Sequence, residues 1–176
     1  MHNAGGKLIA GVERISLKEH FDERGTFSKT FDVDISNHLQ FFPKEVFYTK
    51  SRRNVFRGLH MQVEPHAANK IIHVVDGSVR EFLVDLRPNS ETYLDYLELG
   101  LSSEEKEVLF IPKGIAHGYL CLTSPTLVMY MMDAPFCEEC DSGISYKSIE
   151  VLQNVNPSSI IMSYRDSNLE VIKLKT

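Results

Sequence analysis

The stretch Ile71-Ile-His-Val-Val75, Asp76-Gly77 and Val79-Arg-Glu-Phe-Leu-Val-Asp-Leu86 decides the fold class. β-Branched and aromatic residues crowd both arms, and such residues suit a pleated, largely buried surface. The Asp-Gly pair between them is a hairpin signal, because positive φ costs glycine nothing and aspartate little. Similar short stretches recur at Tyr93 to Leu99, Val108 to Ile111, Tyr119 to Leu122 and Thr126 to Met132. Turn residues punctuate the chain at Asp22-Glu-Arg-Gly25, Arg52-Arg-Asn54, Glu64-Pro65, Pro88-Asn89, Pro112-Lys-Gly114 and Ser124-Pro125. Short strands at such spacing predict an all-β sandwich or barrel. Val79, Glu81, Val84 and Asp85 alternate imperfectly, as expected of a strand lining a pocket with some polar positions. Helical pattern is sparse. A short helix is expected over Ile35 to Phe41 after Asp34, and Ser102-Ser-Glu-Glu105 reads as an N-cap with an acidic first turn.

The chain has 176 residues, enough for one domain with a continuous core. No repeat or linker divides it, so residues 1–176 are read as a single domain. Hydrophobic residues at 43% and charged residues at 24% exclude disorder. No apolar run approaches the ~18 residues of a membrane span. Met1 to Gly11 lacks a signal-peptide core, so a soluble, cytoplasmic protein is expected. With 19 basic against 24 acidic residues and a net charge of -5, no basic face is offered to nucleic acid. A local basic pocket for an anionic small molecule stays open. Three cysteines are too few for a disulfide framework. Cys137-Glu-Glu-Cys140 has the spacing of half a zinc site, but with no second pair it is read as two ordinary thiols in a loop.

Two constellations could carry chemistry. Arg57-Gly-Leu-His60-Met-Gln62 is followed by Lys70, and Ile111-Pro-Lys-Gly114-Ile-Ala-His117-Gly118 has a Pro-x-Gly-x-x-His pattern. The latter matches the second half of the cupin signature, in which a turn delivers a histidine to a barrel interior. Metal-binding cupins add His-x-His in the first half; here His60-Met61-Gln62 stands there, which disfavours a metal site. Taken singly, Lys70 could be a solvated strand-edge lysine, Tyr130 a core aromatic and Arg24 a surface charge.

Together, Arg57-Gly-Leu-His60, Lys70, Val84-Asp-Leu-Arg87, Pro112-x-Gly-x-x-His117-Gly118 and Tyr130 resemble the dTDP-4-dehydrorhamnose 3,5-epimerase family, which acts on nucleotide-linked 4-keto-6-deoxysugars. The likeness runs from Asp22-Glu-Arg-Gly25-Thr-Phe27 to Ser163-Tyr-Arg-Asp166. It implies an all-β jelly-roll (cupin) barrel with a few short helices, a homodimer, a nucleotide-diphosphate sugar as substrate, and neither metal nor organic cofactor. The chemistry suits these side chains. A hydrogen beside a ketone can leave because the charge spreads onto the oxygen as an enolate. Epimerisation then needs a base on one face, an acid on the other, and a donor at the oxygen. The resemblance implies His60 as base, since an imidazole's ordinary pKa of ~6.5 is near working pH. Asp166 is implied as its orienting partner, Lys70 as the group at the enolate oxygen, and Tyr130 as the acid. Arg24, Arg57 and His117 match positions that contact sugar or diphosphate.

The sequence departs from the family pattern around this set. Glu45-Val-Phe47 stands in place of Gln-x-Asn, and Lys29 in place of the glutamate after the Arg-Gly-x-Phe27 turn. Phe136 replaces a tyrosine, Asp141 a glutamate, and the closing Trp-Pro is missing. Phe27 is expected as a substrate contact that matches the family, and Lys29, Glu45, Phe47 and Asp141 as contacts that differ from those of the rhamnose enzyme. The alternatives are an epimerase of C3 or C5 only, a 3,4-ketoisomerase, a cupin that binds a nucleotide sugar without catalysis, and a metal-dependent cupin enzyme.

Overall fold

The computed structural model describes residues 3–6, 8–153 and 159–175. Its strands are antiparallel and form two large sheets. One has the order β1 (Asn3–Gly6), β9 (Tyr96–Ser102), β8 (Ser78–Asp85), β11 (Ile115–Cys121), β6 (Phe56–Gln62) and β13 (Asp141–Gly143). The other has the order β2 (Glu13–Ser16), β10 (Glu107–Ile111), β7 (Lys70–Asp76), β12 (Thr126–Met132) and β5 (Glu45–Ser51). A separate hairpin pairs β3 (Glu19–Asp22) with β4 (Gly25–Ser28). The helices are short: α1 (Val33–Leu39), α2 (Glu150–Gln153) and α3 (Tyr164–Ser167). Among the described residues no helix is long and apolar enough to cross a membrane.

The sheets face one another across a shared core. Val79, Leu83, Leu99 and Tyr119 of the first meet Ile72, Val74, Leu109 and Val128 of the second. Each fully buried aliphatic side chain contributes roughly 1.5–3 kcal/mol. The outer faces are covered too. Phe82 and Val84 pack under the C-terminal segment with Tyr146, Ile149 and Leu152, while Ile71, Phe110 and Met131 pack with Phe41 and, beside them, Ile35 and Leu39 of α1. Strands covered on both faces cannot alternate cleanly, which accounts for the consecutive apolar residues at Ile71-Ile72 and Phe82-Leu83-Val84.

Five sequence expectations change. Asp76-Gly77 does make a turn, with Gly77 at φ +83°, but β7 and β8 lie in different sheets, so the turn crosses between layers and closes no hairpin. Strand β9 begins at Tyr96 rather than Tyr93, because the preceding loop folds around the Asp85 carboxylate, which accepts hydrogen bonds from Arg87, Ser90 and Thr92. Ser102 to Glu105 is a tight turn with no helix; Lys106 already leads into β10 with φ +48°. Helix α1 starts two residues earlier than expected: Asp32, not Asp34, is its cap, its Oδ1 accepting from the Asp34 and Ile35 N–H groups at 3.0 Å each. Finally, Cys137 and Cys140 are joined by a disulfide and are not free thiols.

Candidate active site

Strand β6 is the foundation. A regular strand would point Arg57 and His60, three apart, to opposite faces. Here β6 carries an extra residue: Arg57 opposes Tyr119 and His60 opposes His117, so three steps on one strand match two on the other. This bulge turns both side chains inward. It requires Gly58, whose φ is +124° and whose Cβ, if present, would lie 2.5 Å from Gly118 Cα and 2.7 Å from the His117 carbonyl oxygen. The Arg-Gly-x-His sequence is thus a backbone device as well as a set of side chains.

The surplus geometry is pinned by Asp166. Its Oδ1 pairs with His60 Nε2 at 2.9 Å and its Oδ2 accepts the Gly58 N–H at 3.2 Å. Asp166 is placed by α3, capped by Ser163, whose Oγ accepts the Asp166 N–H at 3.0 Å. With Nε2 occupied by the carboxylate, Nδ1 is the nitrogen left for proton transfer. Beside His60 on β11, His117 Nδ1 meets Glu81 Oε1 at 3.0 Å, both residues being buried. The facing sheet supplies Tyr130 from β12 and Lys70 from β7. Tyr130 is stacked on its cross-strand neighbour Phe47, with ring centroids 4.8 Å apart. It also lies 6.0 Å, centroid to centroid, from the His117 ring and is close to Tyr119, whose hydroxyl meets Thr49 Oγ1 at 2.7 Å. The Lys70 ammonium reaches toward the His60 carbonyl oxygen at 3.5 Å.

These groups line one cavity of about 500 Å³ between the sheets, shared by His60, His117, Asp166, Lys70, Tyr130 and Arg57. Phe47, Phe136 and Asp141 complete it. Asp141 is held by Arg165, whose Nη2 also donates to the Asp141 carbonyl at 3.0 Å. Four expected contacts stand apart. Glu45 accepts the Phe136 N–H at 3.0 Å and so braces the cavity wall from outside. Arg24 and Phe27 lie on the exposed β3–β4 hairpin, where Arg24 pairs with Asp22. Lys29 lines a separate groove of about 460 Å³ with His20 and His38.

Burial governs the electrostatics. Desolvation lowers Lys70 to about 8, against the opposing pull of the Asp141 and Glu81 carboxylates. Desolvation, then the neighbouring Tyr119, pushes the Tyr130 phenol well above its ordinary value. The same burial, with the charges of Lys70 and His60, holds His117 well below the usual imidazole range and so neutral. Burial also raises Glu81, although Lys70 pulls the other way. Asp166 is the contrast: burial acts to raise it, but the hydrogen bonds and charge of its partners, His60 foremost, leave it lowered. Glu81 was not singled out as a site residue from sequence. The signal was present, as an acid within an otherwise apolar strand, but only the fold aims it at His117.

Comparison with known proteins places this geometry in context. Residues 7–173 match the family model described as dTDP-4-dehydrorhamnose 3,5-epimerase. The chain is 35% identical over 172 residues to dTDP-4-dehydrorhamnose 3,5-epimerase of Methanothermobacter thermautotrophicus, covering 94% of this chain and 91% of that protein. It is 32% identical over 162 residues to the Escherichia coli K12 enzyme of the same name, covering 88% of each. Among solved structures it is similar to the Legionella pneumophila dTDP-6-deoxy-D-glucose-3,5-epimerase in complex with dTDP-4-keto-L-rhamnose, with TM-score 0.83 and 27% identity over 94% of this chain and 89% of that one.

Proposed function

Because the chain belongs to the dTDP-4-dehydrorhamnose 3,5-epimerase family of isomerases, we propose that it inverts C3 and C5 of a dTDP-linked 4-keto-6-deoxyhexose through enolate intermediates. One observation carries the reading: a histidine on one sheet, paired with an aspartate from α3, and a buried phenol on the other sheet address the same cavity, with a buried ammonium beside them.

In this reading His60 Nδ1 removes the proton next to the ketone, while Asp166 holds the ring and favours the imidazolium that forms. Lys70 stabilises the developing enolate oxygen, where a desolvated cation acts more strongly than in water. Tyr130 protonates the carbon from the opposite side. Its raised pKa keeps the phenol intact until the carbanionic centre takes the proton. Neutral His117 and the Arg57 guanidinium suit binding of sugar hydroxyls and diphosphate. Phe47 and Phe136 substitute apolar rings for polar contacts, so substrate orientation differs from the rhamnose pattern.

The test is incubation with dTDP-4-keto-6-deoxyglucose in heavy water, following C3 and C5 by NMR. Deuterium at both carbons is expected. Deuterium at one carbon would assign a single-site epimerase, favoured only by the Phe47 and Phe136 replacements. No exchange with dTDP, GDP or CDP sugars would leave a nucleotide-sugar-binding cupin.

We further read residues 1–176 as one jelly-roll domain, supported by a core contributed by both sheets. A homodimer would give Arg24, Phe27 and Lys29 a role, because the exposed hairpin could then reach the cavity of a second copy. Sedimentation should show two chains, and Arg24→Ala should raise KM with kcat little changed. A biosynthetic role in the cytoplasm, making an activated deoxysugar for a polysaccharide or glycosylated product, accords with the family.

A further inference from the structure

The Cys137–Cys140 pair takes no part in the proposed chemistry, yet it is built into the rim of the same cleft. Cys137 caps and Cys140 ends a single turn of 3-10 helix, Glu138–Cys140, with their Cα atoms 5.2 Å apart. His66, more than seventy residues earlier in the chain, lies against them: one donor atom from each of the three residues falls within 4.8 Å of the others. Among the described residues this is the one such group of histidine, cysteine and carboxylate side chains.

The convergence is held by a buried side chain. Gln62 is 3% exposed; its Nε2 donates to the His66 carbonyl at 2.7 Å and the Pro135 carbonyl at 3.1 Å. Its Oε1 accepts the Cys137 N–H at 2.8 Å. The Val63 N–H donates to the Cys140 carbonyl at 2.9 Å, and the His66 N–H to the Val63 carbonyl at 3.1 Å. The His66 turn and the cysteine turn are therefore fixed to one another before any ligand arrives. Cys140 is buried, whereas Cys137 and His66 are half-buried, so an ion could enter from solvent.

Two thiolates at Cys-x-x-Cys spacing with an imidazole are a donor set for zinc. Zn–S bonds of ~2.3 Å and Zn–N bonds of ~2.0 Å around a tetrahedron put donor atoms roughly 3.5–4 Å apart. The three donors already lie within 4.8 Å of one another, so reaching that separation requires mainly that the two sulfurs part when the disulfide opens. The fourth position falls to water or to Glu139, whose carboxylate lies 3.6 Å from Cys137 Sγ.

We propose that the dithiol form of the chain binds one zinc-class divalent cation through Cys137, Cys140 and His66, and that this ion and the Cys137–Cys140 disulfide are alternative staples for the cleft wall. The interconversion balances with a dithiol reductant. It transfers two electrons to the disulfide, becoming oxidised itself and leaving two thiols; these lose two protons as their sulfurs bind the cation. Oxidation by a disulfide of the same class reverses both steps and releases the ion. Phe136 and Asp141, which line the cavity, adjoin the two cysteines, so either staple fixes the same stretch of wall.

The experiment reduces the full chain with a phosphine, removes the reductant without air, and dialyses the protein against micromolar zinc. One retained zinc per chain is expected by elemental analysis, and cobalt in its place should give thiolate-to-metal charge-transfer absorption. Cys137→Ser and Cys140→Ser should each abolish retention. His66→Ala should weaken it by at least about tenfold, since even lost outer-shell partners cost 10–100-fold. Diamide-oxidised protein should retain none. The proposal is overturned if the reduced chain retains no zinc, if the phosphine leaves the disulfide closed, or if retention ignores either Cys137→Ser or His66→Ala. Circular dichroism of each variant separates loss of a ligand from loss of the fold.

Discussion

The two walls of the cleft set their functional groups by different means. On the β6–β11 wall each histidine is matched to a carboxylate, His60 to Asp166 at 2.9 Å and His117 to Glu81 at 3.0 Å. On the β7–β12 wall Lys70 has no side-chain partner at salt-bridge distance among the described residues, and Tyr130 sits among the rings of Phe47, Tyr119 and His117. Contact orients the first pair; dryness tunes the second. The base wall should therefore be sensitive to the removal of particular atoms, and the acid wall to anything that admits water or alters packing.

The largest effect tests the base wall. His60→Ala should lower deuterium exchange at both carbons by about 10²–10⁴-fold, the usual worth of a positioned base, with the circular dichroism spectrum retained. Full turnover in this variant would end the comparison. Next comes the ammonium. Lys70→Met should cost about 10²–10³ in kcat, comparable to the loss of an oxyanion donor. The sign of its pH dependence follows from the protonated form being the active one: kcat/KM should be sustained below about 8 and fall above it as Lys70 loses its proton. Lys70→Arg should move that alkaline limb upward, whatever it does to the rate. Tyr130→Phe should slow inversion roughly 10²-fold while solvent exchange persists at one carbon, separating proton removal from delivery. A smaller effect is expected from Phe47→Asn. It unstacks Tyr130 and wets the acid wall, and should change KM and the C3-to-C5 exchange ratio several-fold while sparing the dyad. An unchanged ratio would mean that stacking plays no part in aiming the phenol.

Family resemblance, not spacing alone, points to these site residues, and strand pairing explains how they come together. His60, Lys70, His117 and Tyr130 occupy neighbouring positions whose spacing follows strand pairing, as in His60 opposite His117 and Met132 opposite Lys70. Asp166 arrives from outside the sheets, so only family order pointed to it. Asp76-Gly77 misled in a specific way: local chemistry dictates a turn, but whether the chain returns to the same sheet depends on where two apolar faces can be buried. Glu81 and His66 cannot be matched to their partners from sequence for the same reason, since those partners lie 36 residues and more than 70 residues away in the chain. The β3–β4 hairpin is the inverse case: its Asp22-Glu-Arg-Gly25 turn is read from sequence, while its strands and its place at the surface come from the fold.

The bulge at Gly58 has a consequence for how such a protein can change. One surplus residue lets a guanidinium and an imidazole look the same way, and two side-chain-free positions, Gly58 and Gly118, make room for it. Deleting that residue would give a tidier ladder with better-matched hydrogen bonds, yet it would rotate His60 away from its work. A more regular sheet would be an inert one, so selection for stability alone pulls against this catalyst at its most ordinary-looking amino acid.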